Sequence, residues 1–213
     1  MATLKKQGRP KSEEKYHMIL HAASCLFLKE GFANTSMDTV AKESGVSKQT
    51  VYSHFDSKDA LFKAAITSKC QSYQLDTQQL VSSTANSLSL TECLIKVGSQ
   101  FIRLLQDPET IAIFRVIIAE AVHSPHVATL FYQAGPEASL ETLSSVIEQF
   151  GQGSADRHLA RQLARDYCAL LRGEFHTMML CGIHAPLSDV EIEKHVVRAA
   201  EKIIVLFNHY TQK

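Results

Sequence analysis

Lys48, Gln49, Thr50, Tyr52 and His54, all able to hydrogen-bond, fall within seven residues. Lys and Gln can bond base edges in the major groove, while Thr, Tyr and Lys can bond phosphate oxygens. On a helix, Val51 and Phe55, at i and i+4, turn inward and leave the polar groups for solvent or for a groove. The signatures of bond-making chemistry are missing: there is no Gly-x-Ser-x-Gly, P-loop, His-Glu-x-x-His or Gly-x-Gly-x-x-Gly. His123-Ser124-Pro125-His126 and Cys181-Gly182-Ile183-His184 each offer two metal ligands at i,i+3, and Pro125 disfavours a continuous helix. Cys25, Cys70, Cys93, Cys168 and Cys181 are dispersed and mostly on apolar faces, which suits buried thiols in a reducing cytosol. No enzyme activity, metal or cofactor is expected, and metal or redox sensing is a remote alternative.

The elements that must hold the polar cluster follow from its flanks. Met37–Ser44 reads as a short helix capped by Thr35-Ser36, and Gly45 supplies the positive φ of a tight turn. Ser47 caps a second short helix, Lys48–Phe55. Helix, glycine turn and capped helix make a helix-turn-helix. Ala41 must be small where the two helices cross, and Val40, Val46 and Val51 are spaced to share a small core. A preceding helix starts at Ser12, carries Ile19, Ala22, Ala23, Leu26 and Phe27 on one face, and ends at Gly31. A following helix starts at Ser57-Lys58 and buries Leu61, Phe62, Ala65 and Ile66.

The rest of the chain also reads helical. Asp107-Pro108-Glu109 and Ser124-Pro125 are start signals, Gly135-Pro136 should kink or break a helix, and two long helices span roughly 155–183 and 188–210. The expected fold is all-α with about nine helices. Residues 1–66 form a DNA-binding unit with a basic N-terminal arm, its connecting helix running on to about 80, and residues 67–213 form a second helical domain. The 213 residues are 45% hydrophobic, enough for a real core, and 22 basic side chains balance 22 acidic ones. The balance is uneven along the chain. Residues 1–69 hold eleven Lys or Arg against seven Asp or Glu, and residues 70–213 reverse the sign. A basic end on an acidic chain points to an anionic partner there, or to an ordinary solvated tail. No secretory signal and no membrane span is expected, and the location is cytoplasmic.

Residues 8–66 resemble the DNA-binding domain of the TetR family of bacterial transcriptional regulators. The resemblance rests on Gly8-Arg9-Pro10, Ala22-Ala23, Phe27, Gly31-Phe32, Thr35-Ser36, Val40-Ala41, Gly45-Val46-Ser47, Val51-Tyr52, His54-Phe55, Ser57-Lys58 and Leu61-Phe62. Thr35-Ser36, where Thr-Thr is common, and Asp56 are small departures. The resemblance implies a homodimer, each recognition helix reading half of a near-palindromic operator about 34–36 Å apart. By carry-over, Lys48, Gln49 and Thr50 face base edges or phosphate, next to the Ser47 cap. Tyr52, His54 and Lys58 grip phosphate, Thr35 and Ser36 sit at a helix N-terminus suited to an anion, and Arg9, with neighbouring Lys, either reaches the minor groove or stays disordered.

Residues 88–210 resemble the effector half of that family more loosely, through Arg115–Glu120, Phe131–Pro136 and Leu171-Arg172-Gly173-Glu174. This implies a ligand cavity among the middle helices and a four-helix dimer interface from the last two. The helix from Pro108 is apolar all round, which reads as central and buried. Its Arg115 and Glu120 either face a ligand or form a structural ion pair with Arg172 or Glu174. Phe101, Phe114, Phe131, Tyr132, Tyr167, Phe175, Met178 and Met179 either line a largely apolar cavity or are simply core. The last helix carries a stripe of Ile192, Val196, Ala200, Ile203, Phe207 and Tyr210, with Val197 and Ile204 beside it, read as dimer contact. The function implied is a repressor released by a small, largely apolar effector. The alternative is an activator or architectural DNA-binding protein on the same fold without a ligand.

Overall fold

Short polar side chains start most of the helices. Ser12, Ser36, Ser47, Ser89, Asp107 and Asp156 each accept a hydrogen bond from a backbone N–H of the first turn that follows. At Ser89 the cap is reciprocal, with Glu92 accepting from the Ser89 N–H. The structure, a computed structural model, describes residues 12–73, 75, 88–151 and 155–211. Its helices are α1 (Glu13–Asn34), α2 (Met37–Ser44), α3 (Lys48–His54), α4 (Lys58–Ser72), α5 (Leu90–Leu105), α6 (Pro108–Glu120), α7 (Pro125–Tyr132), α8 (Ala138–Phe150), α9 (Arg157–Leu180) and α10 (Asp189–Thr211). A π turn, Gln133–Glu137, runs α7 into α8, so nine separate rods and no strand occur among the described residues. The fold is all-α. The basic arm, with Arg9, and any continuation of α4 toward residue 80 lie outside the described residues.

Two units divide the chain, Met1–Ala65 and Ile66–Lys213. In the first, Phe27, Phe32 and Phe62 pack as an aromatic triad with ring centroids 5.1–5.8 Å apart. Ile19, Ala23, Val40, Val51 and Leu61 fill the space around it with essentially no exposed surface. Val51 and Phe55 face inward from α3, and Tyr16 of α1 stacks on Phe55 at 5.2 Å. Gly45 takes φ 69° in the turn and donates to the Lys42 carbonyl, a conformation costly for any side chain with a Cβ.

In the second unit α9 packs on α8, and α10 packs on both α5 and α9. The closest approach is at Gly98 of α5. A Cβ there would sit 2.3 Å from the Tyr167 hydroxyl and 2.9 Å from a Val196 methyl. Tyr167 is fully buried and donates to the Leu94 carbonyl at 2.6 Å, so it is a structural group rather than a cavity wall.

Three expectations are corrected here. Much of the α10 stripe is turned into its own chain: Ile192, Val196, Ala200 and Ile203 are 0–2% exposed and have no surface to offer a second copy, and the partly buried Phe207 packs against the same core. Gly135-Pro136, expected to kink or break its helix, distorts it without breaking it, as a widened π turn that takes the proline within continuous helix. α6 is not central. Ile111 and Ile117 are buried, but Ile118 is 59% exposed and Arg115 is on the surface.

Candidate functional site

The outer face of α3 is built from below. Ser47 accepts from the Thr50 N–H at 3.2 Å, and its hydroxyl lies 2.8 Å from that of Thr50, so both are engaged in the cap while remaining at the surface. Ser53 donates to the Thr50 carbonyl, holding the following turn. With Val51 and Phe55 anchored, Lys48, Gln49 and Tyr52 are exposed together and His54 is half-buried at the far end of α3, beside Tyr16. Lys48 is not idle. Its ammonium pairs with Asp38 of α2 at 2.7 Å, and that hydrogen bond and charge raise its pKa above the ordinary lysine value. Both partners are more than half exposed, so the pair is screened and exchangeable. The Lys48 ammonium also lies 6.0 Å from the Tyr52 ring centroid. Ser36 is exposed at the start of α2, where it accepts from Thr39 N–H at 3.0 Å.

Thr35 and Lys58 are corrections. Thr35 is buried, and its hydroxyl donates to the Gly31 carbonyl at 2.7 Å, leaving no hydroxyl proton to offer a phosphate. The Lys58 ammonium donates to the carbonyls of Phe32 (2.7 Å) and Thr35 (2.9 Å), with Ala33 at 3.4 Å, and lies 4.3 Å from the Phe32 ring centroid. Its three protons serve the C-terminal end of α1, where a cation complements both the unpaired carbonyls and the dipole. Lys58→Met is therefore expected to destabilise the first unit by about 1–3 kcal/mol, seen as a lower melting temperature. The salt slope of DNA binding should not change. A slope shallower by about one unit with stability intact would return Lys58 to the phosphate contacts.

In the second unit a cavity of about 50 Å³ lies between α4, α5, α6, the π turn and α9. Phe101, Phe114 and Phe131 line it, with Ile66, Leu104, Leu105 and Ile113 completing an apolar wall. Phe114 meets Phe131 edge-on at 4.9 Å. Residues that the sequence did not single out as lining are Ile66, Cys70, Thr110, Ser139 and Arg172. Arg172 sits one residue before Gly173, which takes φ 49° and interrupts α9. The imidazole Nε2 of His195 lies 3.0–3.1 Å from the carbonyls of Leu170 and Leu171 at this break.

The remaining expected lining residues sit elsewhere. Arg115 donates to the carbonyls of Met179 and Leu180, both at 2.9 Å, and so caps the end of α9 instead of forming an ion pair or facing the cavity. Tyr132 is 52% exposed, and Tyr167 belongs to the Gly98 crossing. Glu120, Phe175, Met178 and Met179 lie off the cavity, Phe175 beside the α10 histidine His195. Lys69, at the rim, is held by Asp107 (2.9 Å) and Glu109 (2.7 Å). Burial pushes the Asp107 carboxyl up, but hydrogen bonds from Tyr73, Lys69 and the Thr110 N–H outweigh it and hold the group below its ordinary range. The thiols divide. Cys93 is buried, burial pushes Cys70 and Cys168 up to about 11, and Cys25 and Cys181 are exposed, against expectation. Among the described residues no group of three or more His, Cys, Asp or Glu side chains is placed to hold a metal, and no helix is long and apolar enough to cross a membrane.

Relatives place this architecture. Residues 19–65 match the family described as bacterial regulatory proteins of the tetR family, and residues 92–209 match the C-terminal domain of AefR-like transcriptional repressors. The HTH-type transcriptional regulator YerO of Bacillus subtilis is 28% identical over 172 residues, 78% of this chain, and the match spans only 55% of YerO's length. The flavonoid-responsive regulator FrrA is 31% identical, with 93% of this chain and 97% of that one superposing at a TM-score of 0.66. A regulator from Mesorhizobium loti MAFF303099 superposes at 0.73 with 22% identity, over 93% and 98% of the two chains. Two matched segments cover both units, the first of them including α3 and the second alone more than half of the sequence. The chain therefore belongs to the TetR family of DNA-binding transcriptional regulators.

Proposed function

We propose that this protein is a cytoplasmic homodimeric repressor that binds a near-palindromic operator and is released from it by a small, largely apolar effector. The observation that carries the DNA-binding half is the exposed polar face of α3, fixed by the Val51 and Phe55 anchors and by the Ser47 cap. In this reading residues 1–66 bind DNA and residues 67–213 bind effector and dimerise. Lys48, Gln49 and Thr50 meet base edges, Tyr52, His54 and Ser36 meet phosphates, and Arg9 follows the minor groove. The repressor sign is supported by the match of residues 92–209 to a repressor domain. The effector is supported by the apolar cavity and by the likeness to FrrA, which responds to flavonoids. The dimer face moves to the outer side of α10, where Val190 and Val205 are 60% and 67% exposed and Val197 half-buried, at a spacing that aligns them along one side.

The test is binding of the purified protein to promoter fragments upstream of its own locus, in dilute buffer, with a reporter driven by the bound promoter. Binding with repression is expected. Activation of the reporter would replace the repressor by the activator, and failure to bind any fragment would overturn the reading. Within a bound operator, Gln49→Ala is expected to relax selectivity at one base position and to cost about 1–3 kcal/mol there. Uniform loss across operator variants would move Gln49 to the phosphate contacts.

A further inference from the structure

The wall of the second-unit cavity is apolar apart from two cations and two hydroxyl side chains. Lys69 is neutralised by Asp107 and Glu109. Thr110 lies within hydrogen-bond distance of Asp107. Arg172 is different. No carboxylate lies within ion-pair distance of its guanidinium among the described residues, whereas Lys69, the other cation of the wall, has two. Its guanidinium is exposed, yet its charge is still felt by its neighbours. It adds to burial in holding His176 down to about 4, and it works against burial at the Cys168 thiol. His176 is 6% exposed, lies edge-on to the cavity residue Phe114 at 5.2 Å, and its Nε2 has no hydrogen-bond partner among the described residues. The imidazole is therefore neutral at pH 7 and cannot compete with Arg172 for an anion.

A cation without a counter-ion at the edge of an apolar cavity selects for a molecule that brings the missing charge. We propose that the effector is a small aromatic carboxylic acid, its ring among Phe101, Phe114 and Phe131 and its carboxylate on the Arg172 guanidinium. This rests on the cavity being the effector site. A guanidinium offers two parallel N–H donors to a carboxylate, which fixes orientation as well as charge. At about 50 Å³ the cavity has no room for a long acyl chain, and even a single ring must spread its walls to enter. Arg172 adjoins the Gly173 interruption, and His195 of α10 bonds the two carbonyls just before it, so a ligand held by Arg172 touches the point where α9 is divided.

The experiment uses the full-length protein, titrated calorimetrically at pH 7 with 3-phenylpropionate and with two neutral mimics, 3-phenylpropanamide and propylbenzene. The acid is expected to bind roughly tenfold more tightly than the amide, the modest factor reflecting an Arg172 that is open to solvent. Arg172→Met, which keeps an apolar stem, should bring acid and amide to equal affinity while the melting temperature holds. Arg172→Lys should retain part of the preference. If amide or hydrocarbon binds as tightly as the acid, or if Arg172→Met keeps the preference, the carboxylate assignment is overturned while the cavity remains the effector site. If none of the three binds, the cavity reading falls with it.

Discussion

Ile203→Glu is expected to unfold the second unit. Ile203 has no exposed surface and belongs to the core that α10 shares with α5 and α9. A carboxylate there would be desolvated, and the same change removes a buried aliphatic side chain. Together these cost roughly 5 kcal/mol or more, comparable to the whole stability of an ordinary domain. Circular dichroism should show loss of the cooperative melt of the α-rich second unit and an aggregating product. Val205→Glu, two residues on and 67% exposed, should leave that melt intact while sedimentation shows monomers. A soluble, folded monomer from Ile203→Glu would restore Ile203 to the dimer face. A persistent dimer from Val205→Glu would remove the outer side of α10 from it.

The second large effect is expected at Phe62. Its ring, 1% exposed, meets Phe27 at 5.1 Å and Phe32 at 5.3 Å, both edge-on. Phe62→Ala removes the centre of this triad and leaves a void, at a cost of about 3–5 kcal/mol. A unit of some sixty residues buries a smaller share of its surface than a larger domain and has little stability to spare. Hydrogen exchange should show α1–α3 losing protection while the second unit keeps its own, and operator binding should vanish near 37 °C and return on cooling. Wild-type protection across α1–α3 would show that the triad is not what holds the recognition helix. The test also separates core from contact, because Phe62 has no surface from which to touch DNA.

Much of the first unit was legible because its signals are local. Ser36, Gly45 and Ser47 act within three or four residues of themselves, and Val51 and Phe55 are one helical turn apart. Asp107-Pro108 at the start of α6 was legible for the same reason. What sequence could not supply is the neighbour. Lys58 finds its carbonyls 23 to 26 residues back along the chain, and Arg115 finds its own 64 to 65 residues ahead. A lysine in the first turn of α4 looks misplaced against that helix's dipole until α1 is seen to end beside it. The α10 stripe failed differently. Periodicity correctly marked a buried face, but an apolar stripe does not say whether its cover is α5 of the same chain or a second copy. Arg172 appeared in the sequence as part of a resemblance and as a possible ion-pair partner, and its want of a carboxylate is a property of the packed unit. Gly173, unremarkable in a helical pattern, becomes visible as an interruption only through its positive φ.

The Asp38–Lys48 pair shapes how the protein would search for its site. If Lys48 meets DNA as proposed, Asp38 would hold the place of a nucleotide oxygen beside it and act as a tethered decoy for the strand. A duplex would then have to displace this built-in rival before the lysine could engage, which weakens that attachment on every sequence alike. Added electrolyte weakens both attachments of the lysine, to the carboxylate and to the duplex. The ionic response of DNA association should thus be gentler than a count of the exposed positive groups suggests.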